Sequence, residues 1–457
     1  MNTDLKCCLK GVKTVKPSIP LCITSVLMII GISMAGAASL DLAALQEAAL
    51  GHSTEIRMLR IDEQKSMIDV SSAQAAMHPQ ISLQASGTYL ANPMDAVEMT
   101  LPNMPPVTVM DAQEPQWYQF GIKVNQSLFT WGKLSRSVRL HRLLAETASL
   151  QRSLKEQEIR TRTAVLLHSL KHLRRMSEAA VQQHATALRL SEIIQESYEQ
   201  GFVVEEEVIT AQLQAAELNI AVHELRREQS MVLLELAELT GMQLQEEELR
   251  FPPDPPHRGM DLDLLLEAAL SDKREPMEIM GVLEQVRATA EQISRGSLYW
   301  KPDIGLQIEA GCQGARFPFL ESGWYDESGY SLNVTVALEV KLWDGGRAVQ
   351  DIRTSRLERE AAEVSAEKTR EEITRELTDT YLKYTVLLSR MEYNRLKEQN
   401  FESRRAAAQR QYDAGAGSEA DLLILQLESL GHALRSEQDA LEAASAYFTM
   451  QFLTGES

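Results

Sequence analysis

The sequence predicts a mainly helical chain with a smaller β component, built as two tandem repeats that each hold a β-hairpin and a long helical hairpin. Three observations carry this. The stretches from Lys133 to Gln200 and from Arg347 to Ala414 contain neither Gly nor Pro and are rich in Ala, Leu, Glu, Arg and Gln, the composition of long helices. Two segments alternate: Tyr330, Leu332, Val334, Val336, Leu338, Val340 and Leu342 run at near-perfect period two against mostly polar neighbours, and Tyr118, Phe120, Ile122, Val124 and Leu128 alternate with a break at Gln126. Landmarks also recur at one constant offset. Gly132 answers to Gly346, Tyr198-x-x-Gly201 to Tyr412-x-x-Gly415, and Leu239-Thr240-Gly241 to Leu453-Thr454-Gly455.

The elements follow in order. Lys6, Lys10, Lys13 and Lys16 precede an apolar run from Leu21 to Ile32, and Ala35 and Ala37 follow with signal-peptidase spacing. Residues 1–37 are therefore expected to be a cleaved secretory signal. Cys7, Cys8 and Cys22 leave with it, so the mature chain keeps only Cys312 and forms no internal disulfide. Stability must come from burial and assembly. No later stretch is long and apolar enough for a membrane-spanning helix.

The first repeat is expected over 38–250, with a leading helix, a β-hairpin over 80–130 and a helical hairpin over 133–240. A Pro-rich linker, Phe251-Pro-Pro-Asp-Pro-Pro256, begins the 251–260 junction. The second repeat, 261–457, has its own leading helix, a β-hairpin over 303–343 and a helical hairpin over 347–454. DLAALQEAAL at 41–50 and DLDLLLEAAL at 261–270 open the two halves alike. Each long helix would span about 100 Å at 1.5 Å per residue. Such a helix cannot bury itself in a compact domain, so it must pack laterally, over seams rich in alanine.

Strands near ten residues long span a bilayer when tilted. Trp117, Trp131, Trp300, Trp324 and Trp343 flank the four strands, as aromatic girdles do at membrane interfaces. The loops between strands, 91–116 and 314–328, read as external. Four strands cannot close a barrel, and an open edge cannot face lipid, so the chain must oligomerise. A net charge of −19 excludes a nucleic-acid partner, which needs a basic face.

Two repeats of this form, each tip marked Y-x-x-G, make the chain similar to the TolC-like outer-membrane efflux factors. The family's tip runs approximately Y-x-x-G-x-x-S-x-x-D-x-L, and Tyr412, Gly415, Ser418, Asp421 and Leu423 match it. The first repeat keeps Tyr198 and Gly201 but has Val204 and Glu207 where Ser and Asp would stand. The resemblance implies a homotrimer in which long helical hairpins form a periplasmic α-barrel and four strands per chain build a twelve-stranded transmembrane β-barrel. It implies an exit duct for efflux or type I secretion that needs no cofactor. The tips, Phe202 included, would dock a periplasmic adaptor and, through it, an inner-membrane transporter of the RND, ABC or MFS type. Glu205, Glu206, Glu207 and Asp421 would then either constrict the tunnel entrance or cap helix N-termini.

The rival reading is a periplasmic coiled-coil scaffold, which leaves the girdled strands without a purpose. Catalysis has no foothold, because no nucleotide-binding or nucleophile-elbow motif is present. His168 and His172 share a helix face, yet no carboxylate or third histidine stands near to complete a metal site. They are expected to be solvated. Cys312, in the apolar register of its strand, is expected to face lipid.

Overall fold

The computed structural model describes residues 40–455, apart from 101, 103, 111, 257–258, 298–299, 318–319 and 321–328. The expected signal (1–37) and Trp324 lie outside the described residues. The leading helix of the first repeat is two helices, α1 (Leu42–His52) and α2 (Thr54–Ala75), because Ser53 interrupts the run and caps the second through Ile56 N–H at 3.3 Å. The second repeat matches it with α5 (Leu262–Ala269) and α6 (Glu275–Gly296). Asp41 and Asp261 cap α1 and α5, each accepting a backbone N–H within 3.0 Å.

The helical hairpins are α3 (Lys133–Glu199) with α4 (Glu205–Thr240), and α7 (Arg347–Asp413) with α8 (Glu419–Thr454). Both long helices have 67 residues and both returning helices 36, so the repeat is kept to the residue. The strands are β1 (Gln80–Tyr89), β4 (Gln116–Phe129), β5 (Asp303–Gly314) and β6 (Gly329–Glu339). They form one antiparallel sheet in the order β1-β4-β5-β6. β6 stops at Glu339, short of the expected Leu342. The 91–116 loop holds a further small hairpin, β2 (Val97–Met99) against β3 (Val107–Met110). Strands of three and four residues are too short to show a period among the prolines around them.

The helices lie side by side. Next to the sheet the row runs α2-α3-α6-α7, and beyond it α4-α3-α8-α7. The best-buried core sits midway along α3 and α7, where the short helices pack on. Leu45 joins Leu166, Leu167, Leu170 and Leu236 in the first repeat. Leu265, Ala269 and Met277 join Leu377, Tyr384, Leu387 and Met450 in the second. Elsewhere the seams are narrow, as at Ala187, Leu190 and Ala215.

Arg274, buried just ahead of α6, ties the end of α8 to α3. Its guanidinium donates to Leu453 O at 3.2 Å, to Phe452 O and to Gln157 Oε1 at 2.8 Å, and pairs with Glu275. Replacing it leaves a carboxylate and two helix-terminal carbonyls short of a donor. Arg274→Met is expected to cost about 3 kcal/mol, read as a lowered chemical-unfolding midpoint of the purified protein.

Candidate functional site

The sheet separates its chemistry by face. The pairing registers Ser82, Lys123, Glu309 and Asn333 in one row, and Gln80, Asn125, Gln307 and Thr335 in the next. Lys123 Nζ and Glu309 Oε1 meet at 2.9 Å across β4 and β5. The rows between are apolar: Ile81, Val124, Ile308 and Val334; Leu83, Ile122, Ala310 and Leu332; Ala85, Phe120, Cys312 and Tyr330. Leu83 is 77% and Leu332 70% exposed. One side chain in two faces each way, so a one-residue slip would mix the faces; the register keeps them apart.

Aromatic residues bracket this surface. Trp117 is the second residue of β4, at the loop end of the sheet, beside Tyr118, whose ring meets Phe317 edge to face at 5.0 Å. At the helix end Trp131 lies 5.2 Å from Phe129 and 6.4 Å from Trp300, with the Lys301 ammonium over both indoles. Trp131 Nε1 donates to Pro302 O at 2.9 Å, anchoring a residue whose φ of 53° is left-handed. The second repeat places Gly345 there instead. Trp343 follows β6 and is exposed.

At the opposite end of the helices both hairpins reverse through the same backbone device. Gly201 has φ +81° and Gly415 φ +69°, a conformation glycine adopts without steric cost. Gly201 N–H donates to Tyr198 O and Phe202 N–H to Ser197 O, each at 2.9 Å. Gly415 and Ala416 repeat this on Tyr412 and Gln411 at the same distance. The caps that follow differ. Ser418 and Asp421 form a reciprocal box: Asp421 N–H donates to Ser418 Oγ at 3.1 Å, and Ser418 N–H to Asp421 Oδ2 at 3.2 Å. The Ser418 hydroxyl also donates to Asp421 Oδ2 at 2.7 Å. These bonds, the side-chain one first, hold the Asp421 carboxyl below its ordinary value of 3.8, so the box is complete above that pH and lost in acid. Val204 occupies the equivalent cap of α4, and its side chain accepts no hydrogen bond. Glu205, Glu206 and Glu207 fill the first turn there, where the helix dipole favours negative charge. Phe202 and Val204 project at 79% and 60% exposure, and Tyr198 and Tyr412 are also exposed. Leu423 is half-buried and braces the tip from behind, packed with Leu190 and Leu427.

Midway along the helices the expectation of solvated histidines fails. His168 and His172 are 3% and 1% exposed. Asp254, brought in by the Pro-rich linker, places Oδ1 3.2 Å from His172 Nε2 and 3.9 Å from His168 Nδ1. Lys171 Nζ donates to the same oxygen and to Pro252 O, both at 2.8 Å. From α8, Glu437 Oε2 lies 2.7 Å from His172 Nδ1. Burial, then the Lys171 charge, lowers the His168 imidazole to about 4, so it is neutral near pH 7. Their separation along the chain hid the carboxylates from sequence reasoning; only the i, i+4 spacing of the histidines signalled the place.

The sequence profile of the outer membrane efflux protein family matches residues 45–242 and 281–456. The chain belongs to the outer membrane efflux protein family. It is similar in fold to the CmeC outer membrane channel of Campylobacter jejuni, at 15% identity and TM-score 0.71, covering 91% of this chain and 85% of that one. It is similar also to the outer membrane protein VceC of Vibrio cholerae, at 18% identity and TM-score 0.71, covering 91% and 96%. A membrane protein of Pseudomonas aeruginosa gives 15% identity and TM-score 0.73, with 90% of each chain covered. No curated protein sequence matches the chain. As a member of this family it is an efflux conduit of the outer membrane, a transport protein and not an enzyme. No helix among the described residues is long and apolar enough to cross a membrane.

The two tips of the efflux protein are thus alike in backbone and unequal in capping. Val204→Ser, with Glu207 already three residues on, is expected to install the missing box and slow amide exchange in the first turn of α4. Ser418→Ala is expected to cost about 1 kcal/mol and to speed exchange in the first turn of α8 about fivefold. Hydrogen-exchange mass spectrometry of the assembled protein checks both.

Proposed function

We propose that this efflux protein works as a homotrimeric duct whose tips receive a periplasmic adaptor, which couples it to an inner-membrane transporter. The observation that carries the reading is that every layer is open at the same two sides. β1 and β6 are the sheet's edges, with α2 and α4 on the side of β1 and α7 on the side of β6. Exposed apolar side chains line both flanks, among them Ile209, Leu213 and Ile220 on α4 and Leu382, Val386 and Leu396 on α7. A head-to-tail contact of β6 and α7 on the next copy's β1, α2 and α4 satisfies both edges, and it closes into a ring. Three copies give a twelve-stranded barrel. The apolar rows then face lipid, the polar rows line the lumen, and the Trp117 and Trp131–Trp300 groups lie at the two interfaces as a girdle.

Phe202, Val204 and the Tyr198, Gly201, Tyr412, Gly415 and Ser418 framework give the docking end a rigid backbone with a few projecting apolar groups. Energy comes from the transporter, and the duct supplies a path. Glu205, Glu206, Glu207 and Asp421, repeated three times round the mouth, also screen the entrance with negative charge. Capping and screening are compatible, since a capping carboxylate keeps its charge.

A photo-reactive residue at Phe202, whose exposed side chain neither caps nor supports a helix, is expected to capture a periplasmic adaptor in living cells, identified by mass spectrometry. Capture of neighbouring copies alone would remove the adaptor contact. Glu207→Gln with Asp421→Asn removes charge while keeping a cap acceptor at 421. Single-channel recording is expected to show at least a twofold change in cation dependence; no change would sink the screening role.

A further inference from the structure

We propose that His168, His172 and Asp254 form a binding site for a divalent transition-metal cation of the zinc type, which fastens the inter-repeat linker to the middle of α3. The inference deepens no part of the duct reading and does not depend on which adaptor or cargo the channel serves.

The three donor atoms lie within 4.8 Å of one another. Zinc–nitrogen and zinc–oxygen bonds of about 2.0–2.2 Å place tetrahedral ligand atoms roughly 3.3 Å apart. The His172–Asp254 separation of 3.2 Å already fits, and the His168–Asp254 separation of 3.9 Å needs only a small closure. The donors are two imidazoles and one carboxylate, a set suited to zinc and its neighbours in preference to calcium or magnesium.

The arrangement also has an unmet need. His168 Nδ1 and His172 Nε2 are buried and neither makes a hydrogen bond; the 3.2 Å approach of Nε2 to Asp254 is not aligned as one. Glu437 accepts from His172 Nδ1, because a carboxylate at 2.7 Å can only accept. That fixes the tautomer and turns the Nε2 lone pair toward Asp254, the carboxylate–histidine relay that supports metal ligands. A proton placed on Nε2 would serve one of the two orphaned nitrogens. A cation between the three groups serves both.

Asp254 stands between Pro252-Pro253 and Pro255-Pro256, so its backbone is held in place without a metal. Lys171 is the competitor. Its ammonium occupies Asp254 Oδ1 at 2.8 Å and must yield that oxygen, keeping its second acceptor, Pro252 O. Arg175 stands nearby, 3.9 Å from Asp254 Oδ2 and 3.5 Å from Glu437 Oε1. The site is therefore metal-binding against a resident positive charge, and removing Lys171 should tighten it. A purely structural role for the cluster predicts the opposite, a loss of order with no gain of affinity.

The test uses the full-length assembled protein in detergent, stripped with a chelator and titrated with zinc chloride by calorimetry at pH 7.5. One zinc per chain is expected. His172→Gln and Asp254→Asn should each weaken binding at least tenfold, Lys171→Gln should strengthen it about tenfold, and the exposed His223→Gln should leave it unchanged. Circular dichroism verifies that each variant is folded. Cobalt(II) added to the unmodified protein provides a reading independent of any variant: tetrahedral ligation gives an intense visible absorption band. No zinc binding and no such band, or binding that His172→Gln and Asp254→Asn leave intact, would overturn the proposal. A His172 imidazolium seen by NMR at pH 7.5 with zinc in excess would overturn it too, assigning the cluster to a proton.

Discussion

A backbone amide or carbonyl with no partner is intolerable in hydrocarbon, and the rest of this structure depends on that constraint. The chain brings four strands with an apolar face to the membrane and leaves two edges unpaired. No rearrangement within one copy repairs this, because four strands are too few to curl into a closed barrel. The edges must meet those of other copies. Once they do, the helices continuing from each strand are carried into the same ring, and their exposed flanks meet as well. Membrane insertion and assembly are in this sense one requirement.

The helices solve a different problem. Two of 67 residues cannot fold back on a globular core, and their own seams are thin. The structure concentrates burial in a belt halfway along, where α1 and α5 plug against α3 and α7 with leucines, Tyr384 and Met450. The linker crosses in the same belt and brings Asp254 against α3, while Arg274 closes the end of α8 there. Charged groups buried in that belt, Lys171 and Arg274, are satisfied by partners from distant parts of the chain. The two histidine nitrogens facing Asp254 are not.

The two halves carry helical hairpins of equal length, and they differ at particular residues. Trp131 holds a left-handed backbone that the second repeat gives to Gly345, and its indole anchors the strand-to-helix junction on Pro302 and Trp300. At the tips Val204 replaces a capping serine, so one hairpin exchanges a helix cap for a projecting apolar group. An asymmetric tip offers a partner two different surfaces per chain.

Much of this was legible in the residues themselves. Gly- and Pro-free stretches, period-two alternation and the Y-x-x-G landmarks are local chemistry, and they placed the long helical hairpins and the four long strands to within a few residues. Ser418 and Asp421 were readable as a cap because a capping box closes within three residues. The short β2–β3 hairpin was not, since seven residues in two pieces carry no usable period. Nor was the polar cluster: Asp254 and Glu437 reach His172 only after a linker and a complete second repeat have folded back onto α3. Local sequence determines which segments are helix, strand or turn, because those choices are made between neighbours. Which buried charges meet is decided by tertiary structure alone, because desolvation and pairing act on groups brought together from hundreds of residues apart.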